Sequence, residues 1–408
     1  MCQAFISIID KMDIGTWDVV VVGAGPSGSQ AAMSASLMGA RTLLLDRAVM
    51  PRYKTCGGGL TGRTVAHLSR GGPLNLPPGV PVHQSITRVQ FTNNGARPRV
   101  RYSSQPIMFT TNRAEFDEAL VRQAESGGVE FRSNTLVQAI DESPQRVSLR
   151  TPDGVISAHA VVGADGSAGR LAHRVGATYA QIDLGLEVEL AALPGDLRKW
   201  NSTISLDWGP VPGSYGWVFP KKDTITVGVI GDQRYSSQLK EYLREYLVRA
   251  GLGSRAVIRD SGHLTKTRMS SSCTGSGRIL LAGDALGVVE PWTREGISNG
   301  LISGSFAGVV AAKIALSDDP ETPSACLQEY SDWVESTIQP GLTVGRQFLR
   351  LFSQHRTVVH ELLSGTKKGW HAFEAISRGE KTMVRALEHP SAHVAVGLLA
   401  HPKRWPES

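Results

Sequence analysis

Between Trp17 and Asp46 a strand, a glycine-rich turn, a small-residue helix, a second strand and an acid follow one another, and few folds accommodate that order. The stretch reads WDVVVVGAGPSGSQAAMSASLMGARTLLLD. Val19 to Val22 is a β-branched run suited to a strand buried on both faces. Gly23, Gly25 and Gly28 follow in G-x-G-x-x-G spacing, with Pro26 and Ser27 between the last two. Gly23 permits a tight turn, Gly25 lets the backbone approach a pyrophosphate, and Gly28 lets the helix sit close to the strand. The helix N-terminus offers free N–H groups and partial positive charge to phosphates. Asp46 ends the second strand, eighteen residues past Gly28, where a carboxylate accepts ribose hydroxyls. The pattern predicts an α/β, Rossmann-like dinucleotide-binding unit. A turn that merely needs glycines would leave Asp46 unexplained.

The 408 residues suit two or three structural units, and 41% hydrophobic content supplies an ample core. Cys2, Cys56, Cys273 and Cys326 are far apart and form no C-x-x-C pair. That spacing argues against a metal site or disulfide framework and for a reducing compartment. A net charge of +6 permits attraction to phosphates. Lys and Arg are nevertheless spread along the chain with no basic stripe between exposed aromatics, so nucleic acid is not the expected partner. The stretch before Trp17 is short in apolar residues, carries Asp10 and Lys11, and reads as a loose leader rather than a signal peptide. Leu301 to Leu316 is rich in Gly, Ser and Ala and reads as a buried helix rather than a membrane span.

Further along, Cys56-Gly57-Gly58-Gly59 forms a loop whose glycines suit a backbone close to a ligand. Ser85 to Phe91 and Pro98 to Tyr102 read as a hairpin about Asn93-Asn94-Gly95. Asn112 caps a predicted helix to Ser126, and Val129 to Asp141 reads as one strand. Strand patterns recur to Gly231. Gln238 to Ala250 is an amphipathic helix, Arg278 to Ala282 a buried strand, and Gly296 to Leu316 a long small-residue helix. The dinucleotide unit is therefore discontinuous, over 17–80, 105–175 and 263–317. A β-rich substrate unit takes 81–104 and 176–262, and helices fill 318–408.

Three segments together resemble the flavoproteins of glutathione-reductase-like fold: the first glycine motif with Asp46, the Asp165-Gly166 turn, and Gly283-Asp284 followed by Gly296-Ile297. The resemblance implies FAD, with Asp284 on the ribitol and the helix from Gly296 and Ile297 directed at the flavin. Cys56-Gly57-Gly58-Gly59, Arg113 in an Arg-x-x-Phe-Asp element, and Tyr215, Trp217 and Phe219 in Tyr-x-Trp-x-Phe-Pro further resemble the geranylgeranyl reductase group. That resemblance implies cofactor contacts from Gly23, Gly25, Pro26, Ser27, Gly28, Asp46, Arg47, Cys56, Gly57, Gly59, Arg113, Leu136, Asp165, Gly283, Asp284, Gly296 and Ile297. Tyr215, Trp217, Phe219 and Gly228 then face the substrate. The group's usual Gly-x-Gly is here Gly228-Val229-Ile230, and Arg294-Glu295 stands where glycines are common.

The implied activity is reduction of prenyl double bonds in an isoprenoid lipid, diphosphate or quinone. The developing positive charge wants a dry aromatic pocket, which Tyr215 and Trp217 on one strand face would supply unless they form the sheet's core. Cys56 is the candidate proton relay, beside the alternative of a small packed residue. NADPH, NADH and reduced ferredoxin are all admitted as electron donors. Cytoplasmic location follows, with peripheral attachment at the inner face of the membrane suggested by a prenyl substrate. Aromatic monooxygenases and flavin halogenases share the FAD motifs and are the second reading; a flavin-bearing electron-transfer protein is the third.

Overall fold

The computed structural model describes residues 13–69 and 79–387. The leader, most of the loop expected after Gly71 and the end of the tail lie outside the described residues. A parallel sheet is built around Asp13–Val22, whose valines align with Thr42–Leu45 on one side and with the end of Gly154–Gly163 on the other. Glu130–Arg132 continues the sheet beyond the former, and Ile279–Leu281 beyond the latter, both parallel. Val19, Val20, Val21, Leu43, Leu44, Leu45, Val161 and Val162 are all fully buried, as a sheet covered on both faces requires.

Two helices cover one face in mutual contact, Pro26–Leu37 and Ile297–Ala315. Their backbones meet at glycines. A Cβ on Gly304 would lie 2.1 Å from the Ser27 carbonyl oxygen, and one on Gly308 2.1 Å from that of Ala31. Ile297–Ala315 is the one described helix long and apolar enough to cross a membrane, and 72% of its apolar window is buried inside the fold.

The second sheet has seven strands, antiparallel except where Thr203–Trp208 runs parallel to Arg88–Asn93. Alternate residues of Tyr179–Ala191, Tyr215–Pro220 and Thr224–Asp232 divide between its faces. Val188, Leu190, Val218, Val227 and Val229 pack on the helix Ser236–Arg249 through Leu239, Tyr242 and Tyr246. Glu187, Gly228 and Trp217 occupy the opposite face in register across three neighbouring strands. The C-terminal helices bridge both sheets. Tyr330, Val334, Ile338 and Leu342 join the core of the first, while Leu351, Phe352, Val359 and Trp370 join Phe91, Ile204 and Trp208 of the second.

Two local expectations change, and one strand had no expectation. Val129 to Asp141 is not one strand but Glu130–Arg132 and Ala139–Glu142. Asn134 turns through φ +54° between them, and the Thr135 amide donates to the Asp46 carbonyl at 2.8 Å. Val257–Arg268 is an edge strand paired with Tyr179–Ala191, and its polar, half-exposed residues carry no apolar alternation. Pro194–Lys199 is a short helix with Pro at its start and Asp196 Oδ2 accepting from the Leu193 amide at 3.0 Å.

Candidate functional site

The first glycine turn is shaped by close approaches. Gly23 sits at φ +104°, and a Cβ there would lie 2.3 Å from the Ala164 carbonyl oxygen; one on Gly28 would lie 1.7 Å from that of Gly23. Gly25 differs, since its Cβ would meet only the Arg52 guanidinium at 3.6 Å. The open side of the turn is thus lined by a cation. No side chain caps the helix, and Pro26 opens it, so its first N–H groups face that opening.

Asp46 anchors the next shell. Its Oδ2 accepts from the Ala24 amide at 2.9 Å and from Arg52 Nε at 3.1 Å, and its Oδ1 from the Ala48 amide at 2.9 Å. A carboxylate offers about four acceptor positions, so capacity is left for hydroxyls. Arg52 continues to Asp117 at 3.2 Å, and Asp117 takes Nε and an Nη of Arg113 at 2.9 Å each. Burial alone would lower the Arg113 pKa, but Asp117 and the Cys56 thiol hold it above its ordinary value. Alternating charges therefore run from Asp46 to the Cys56 loop. Leu136 is exposed next to Thr135, and Arg47 is exposed beside Asp46.

The second motif meets the first. A Cβ on Gly283 would lie 2.2 Å from Ser27 Oγ and one on Gly300 3.6 Å from it, while one on Gly296 would lie 3.5 Å from Asp284 Oδ1. Gly296 has no side chain to cap the helix that Ile297 opens, but Glu295 Oε1 accepts from the Ser298 amide in its first turn at 2.8 Å. His263 Nε2 stands 3.7 Å from Asp284 Oδ2, 3.2 Å from Ser167 Oγ and 2.5 Å from Lys54 Nζ. Burial would raise the Asp284 pKa, yet His263, Lys54 and Arg113 together hold it below the usual carboxylate range. Burial lowers that of Lys54. Sequence reasoning passed over Lys54, and only the pairing of the Val257–Arg268 strand brings His263 here. Asp165 turns back to cap Arg170–Val175, its Oδ2 accepting from the Arg170 and Leu171 amides at 2.6 and 3.2 Å. Its Oδ1 is buried without a partner, and burial raises its pKa.

The Cys56 loop lies on the polar face of the second sheet. A Cβ on Gly57 would lie 2.8 Å from both Trp217 Nε1 and Phe219 Cδ2, and one on Gly59 3.0 Å from Phe219 Cε2. Tyr215, Trp217 and Phe219 share that face, with ring centroids 6.1 and 6.5 Å apart. The Tyr215 hydroxyl donates to the Thr293 carbonyl. Gly228 lies beneath the Trp217 indole, so a Cβ there would be 2.2 Å from Cζ2. The aromatics thus form the joint between sheet and glycine loop, which joins the two alternatives of pocket and core. Glu187 escaped the sequence reading. Its Oε1 accepts from the Cys56 amide at 2.8 Å and from the Tyr53 hydroxyl at 2.6 Å.

Residues 16–206 match the model of the FAD binding domain family. Over 353 residues the chain is 30% identical to digeranylgeranylglycerophospholipid reductase 3 of Methanosphaera stadtmanae, covering 80% of this chain and 84% of that protein. It is 32% identical over 311 residues to a menaquinone reductase of Mycobacterium tuberculosis, covering 71% and 75% respectively. Its fold is similar to that of a geranylgeranyl bacteriochlorophyll reductase-like protein from Thermoplasma acidophilum, with a TM-score of 0.74 at 19% identity over 92% of this chain and 99% of that one.

Proposed function

The chain belongs to the geranylgeranyl reductase family of FAD-dependent oxidoreductases, and from that premise we propose that it saturates prenyl double bonds of a membrane-derived isoprenoid: a polyprenyl lipid, diphosphate or quinone. The observation that carries this reading is the Cys56–Gly59 backbone lying against Trp217 and Phe219, which joins the cofactor motifs to an aromatic face.

The residues fit the dinucleotide. Gly25 leaves backbone and Arg52 open to a pyrophosphate, Asp46 keeps acceptor capacity for a ribose, and Asp284 stands beside Gly296 to receive ribitol hydroxyls. Bound FAD, once reduced, supplies hydride. The start of Ile297–Ala315 offers its remaining free amides to the flavin's negative edge, the Ser298 amide being taken by Glu295. Arg113, held charged by Asp117, stands beside the Cys56 thiol. Tyr215, Trp217 and Phe219 exclude water and stabilise positive charge as it develops on an alkene carbon. NADPH, NADH or reduced ferredoxin serves as donor.

The test is anaerobic. The yellow protein is reduced with dithionite and offered geranylgeranyl diphosphate, a prenylated quinone, a polyprenyl phosphate and an archaeal-type diether lipid, with products read by mass. The proposal expects gains of two hydrogens on at least one. Reoxidation of the flavin only on admitting air, with a hydroxylated or halogenated product, would replace it with the oxygen-using reading.

A further inference from the structure

The reduction needs a proton as well as a hydride, and Cys56 is not the only acid at the loop. Glu187 is 1% exposed. Its Oε1 accepts two hydrogen bonds, from the Tyr53 hydroxyl and the Cys56 amide, while its Oε2 is buried with no partner. That asymmetry is what a carboxylic acid shows. The doubly accepting oxygen acts as the carbonyl and the bare one carries the hydrogen. An ionised Oε2 in the same place would be an uncompensated buried charge, and burial raises this carboxyl's pKa.

The bare oxygen shares its face with two further orphans. Trp217 Nε1 and Thr226 Oγ1 are also buried without partners. Glu187 pairs with Gly228, which pairs with Trp217. Strands spaced about 4.8 Å apart put Glu187 and Trp217 roughly 10 Å apart at the backbone. Because Gly228 has no side chain, the indole covers that gap. The acid therefore stands at the inner edge of the aromatic face, under the Cys56 loop. The groups around it are Tyr53 and Cys56 from the loop, Glu189 from its own strand, Lys221 paired to Glu189 at 3.7 Å, and the exposed Arg259 over the Tyr53 ring.

Resting on the prenyl-reductase reading above, we propose that Glu187 is the acid that supplies the proton added to the double bond. The Oε2–H bond breaks and a C–H bond forms at one alkene carbon from the π pair. The hydride supplied by the reduced cofactor bonds to the other carbon, so the alkene is reduced and the cofactor oxidised. Glu187 is left as a carboxylate whose Oε1 keeps the Tyr53 and Cys56 donors. The carboxylate regains a proton on Oε1 from Tyr53, whose hydroxyl is refilled from solvent past Ser261 Oγ, 3.3 Å away at the partly exposed edge strand, and a half-turn of the carboxyl group returns the hydrogen to the bare side.

The experiment uses the FAD-loaded protein and two readouts. Infrared spectroscopy at neutral pH should show a protonated-carboxyl band that disappears in Glu187→Gln and moves to higher frequency in Tyr53→Phe, which removes one donor from Oε1. Anaerobic single turnover should then show the Gln variant loaded with flavin and reduced normally, with reoxidation by prenyl substrate slowed about 100-fold or more. A wild-type spectrum without that band, or a Gln variant that reoxidises at the wild-type rate, overturns the proposal. If Glu187→Gln does not fold, the band and its shift in Tyr53→Phe decide. Failure of the wild type to turn over any prenyl substrate overturns the reductase reading instead; the infrared band, which needs no substrate, then reports separately whether Glu187 stores a proton.

Discussion

Gly228→Ala tests whether the aromatic face is built as described. The added methyl would lie 2.2 Å from Trp217 Cζ2, 2.6 Å from Cε2 and 2.7 Å from Cη2. Ordinary contact begins at 3.4 Å, so the indole must retreat by about 1.2 Å. It has little room to do so. Trp217 is 8% exposed, and its Nε1 already lies 2.8 Å from where a Cβ on Gly57 would stand. Overpacking of a closed site costs about 1–3 kcal/mol, and a ring seated on both sides belongs in the upper half, about 2–3 kcal/mol. Trp217→Phe shortens the ring and relieves the clash, so the double variant should be more stable than the sum of the singles predicts, by about 1–2 kcal/mol. The readout is the urea midpoint of far-ultraviolet circular dichroism on FAD-saturated protein, for both single variants and the double. A Gly228→Ala midpoint equal to wild type, or strict additivity with Trp217→Phe, would refute the placement of the indole over Gly228.

Other expectations follow from the same geometry. Asp284→Ala should weaken FAD retention, and normal flavin content after purification would remove Asp284 from the cofactor site. Trp217→Ala should destabilise the fold by about 3–5 kcal/mol as a buried indole is lost while flavin content holds; loss of FAD would make Trp217 a structural support of the cofactor site. Burial holds the Glu187 pKa above its unfolded value, so the fold favours its protonated form, and stability falls as pH rises from the unfolded toward the folded pKa. Glu187→Gln should therefore gain stability relative to wild type by about 1.4 kcal/mol per pH unit across that window. Thermal shifts at about pH 5 and about pH 8 would expose the opposite trend.

The geometry of the glycine turns and of Asp46 was legible because its signals are local. Gly23, Gly25, Gly28 and Asp46 lie within one strand–helix–strand unit, where a sheet buried on both faces forces an unbroken apolar run and the turn forces glycines. Gly283-Asp284 was legible for the same reason, since it ends the buried strand Ile279–Leu281. Glu187 was not. Its strand, Tyr179–Ala191, reads as an alternating strand with acids on its polar side, and nothing local distinguishes a solvated acid from one covered by a loop more than a hundred residues earlier. The edge strand Val257–Arg268 escaped because half-solvated residues need no hydrophobic period. His263 lies on it, and its neighbours are set by register against Gly185. Asp165 was placed correctly in its turn, but its capping of Arg170–Val175 depends on Gly169, whose Cβ would lie 2.1 Å from the carboxylate.

The glycine contacts between Pro26–Leu37 and Ile297–Ala315 also set an order of events during synthesis. Ser27 and Ala31 leave the ribosome long before the Gly304 and Gly308 that cover them. Until then the first motif has no lid of helix on one side, and Ser27 lacks Gly283 beside its hydroxyl. Domains generally mature as units while the chain emerges, but this one cannot close on its nucleotide from its N-terminal portion alone. A chain halted before Gly304 would present the first motif without the helix that packs on it, and is expected to retain less flavin than the full chain.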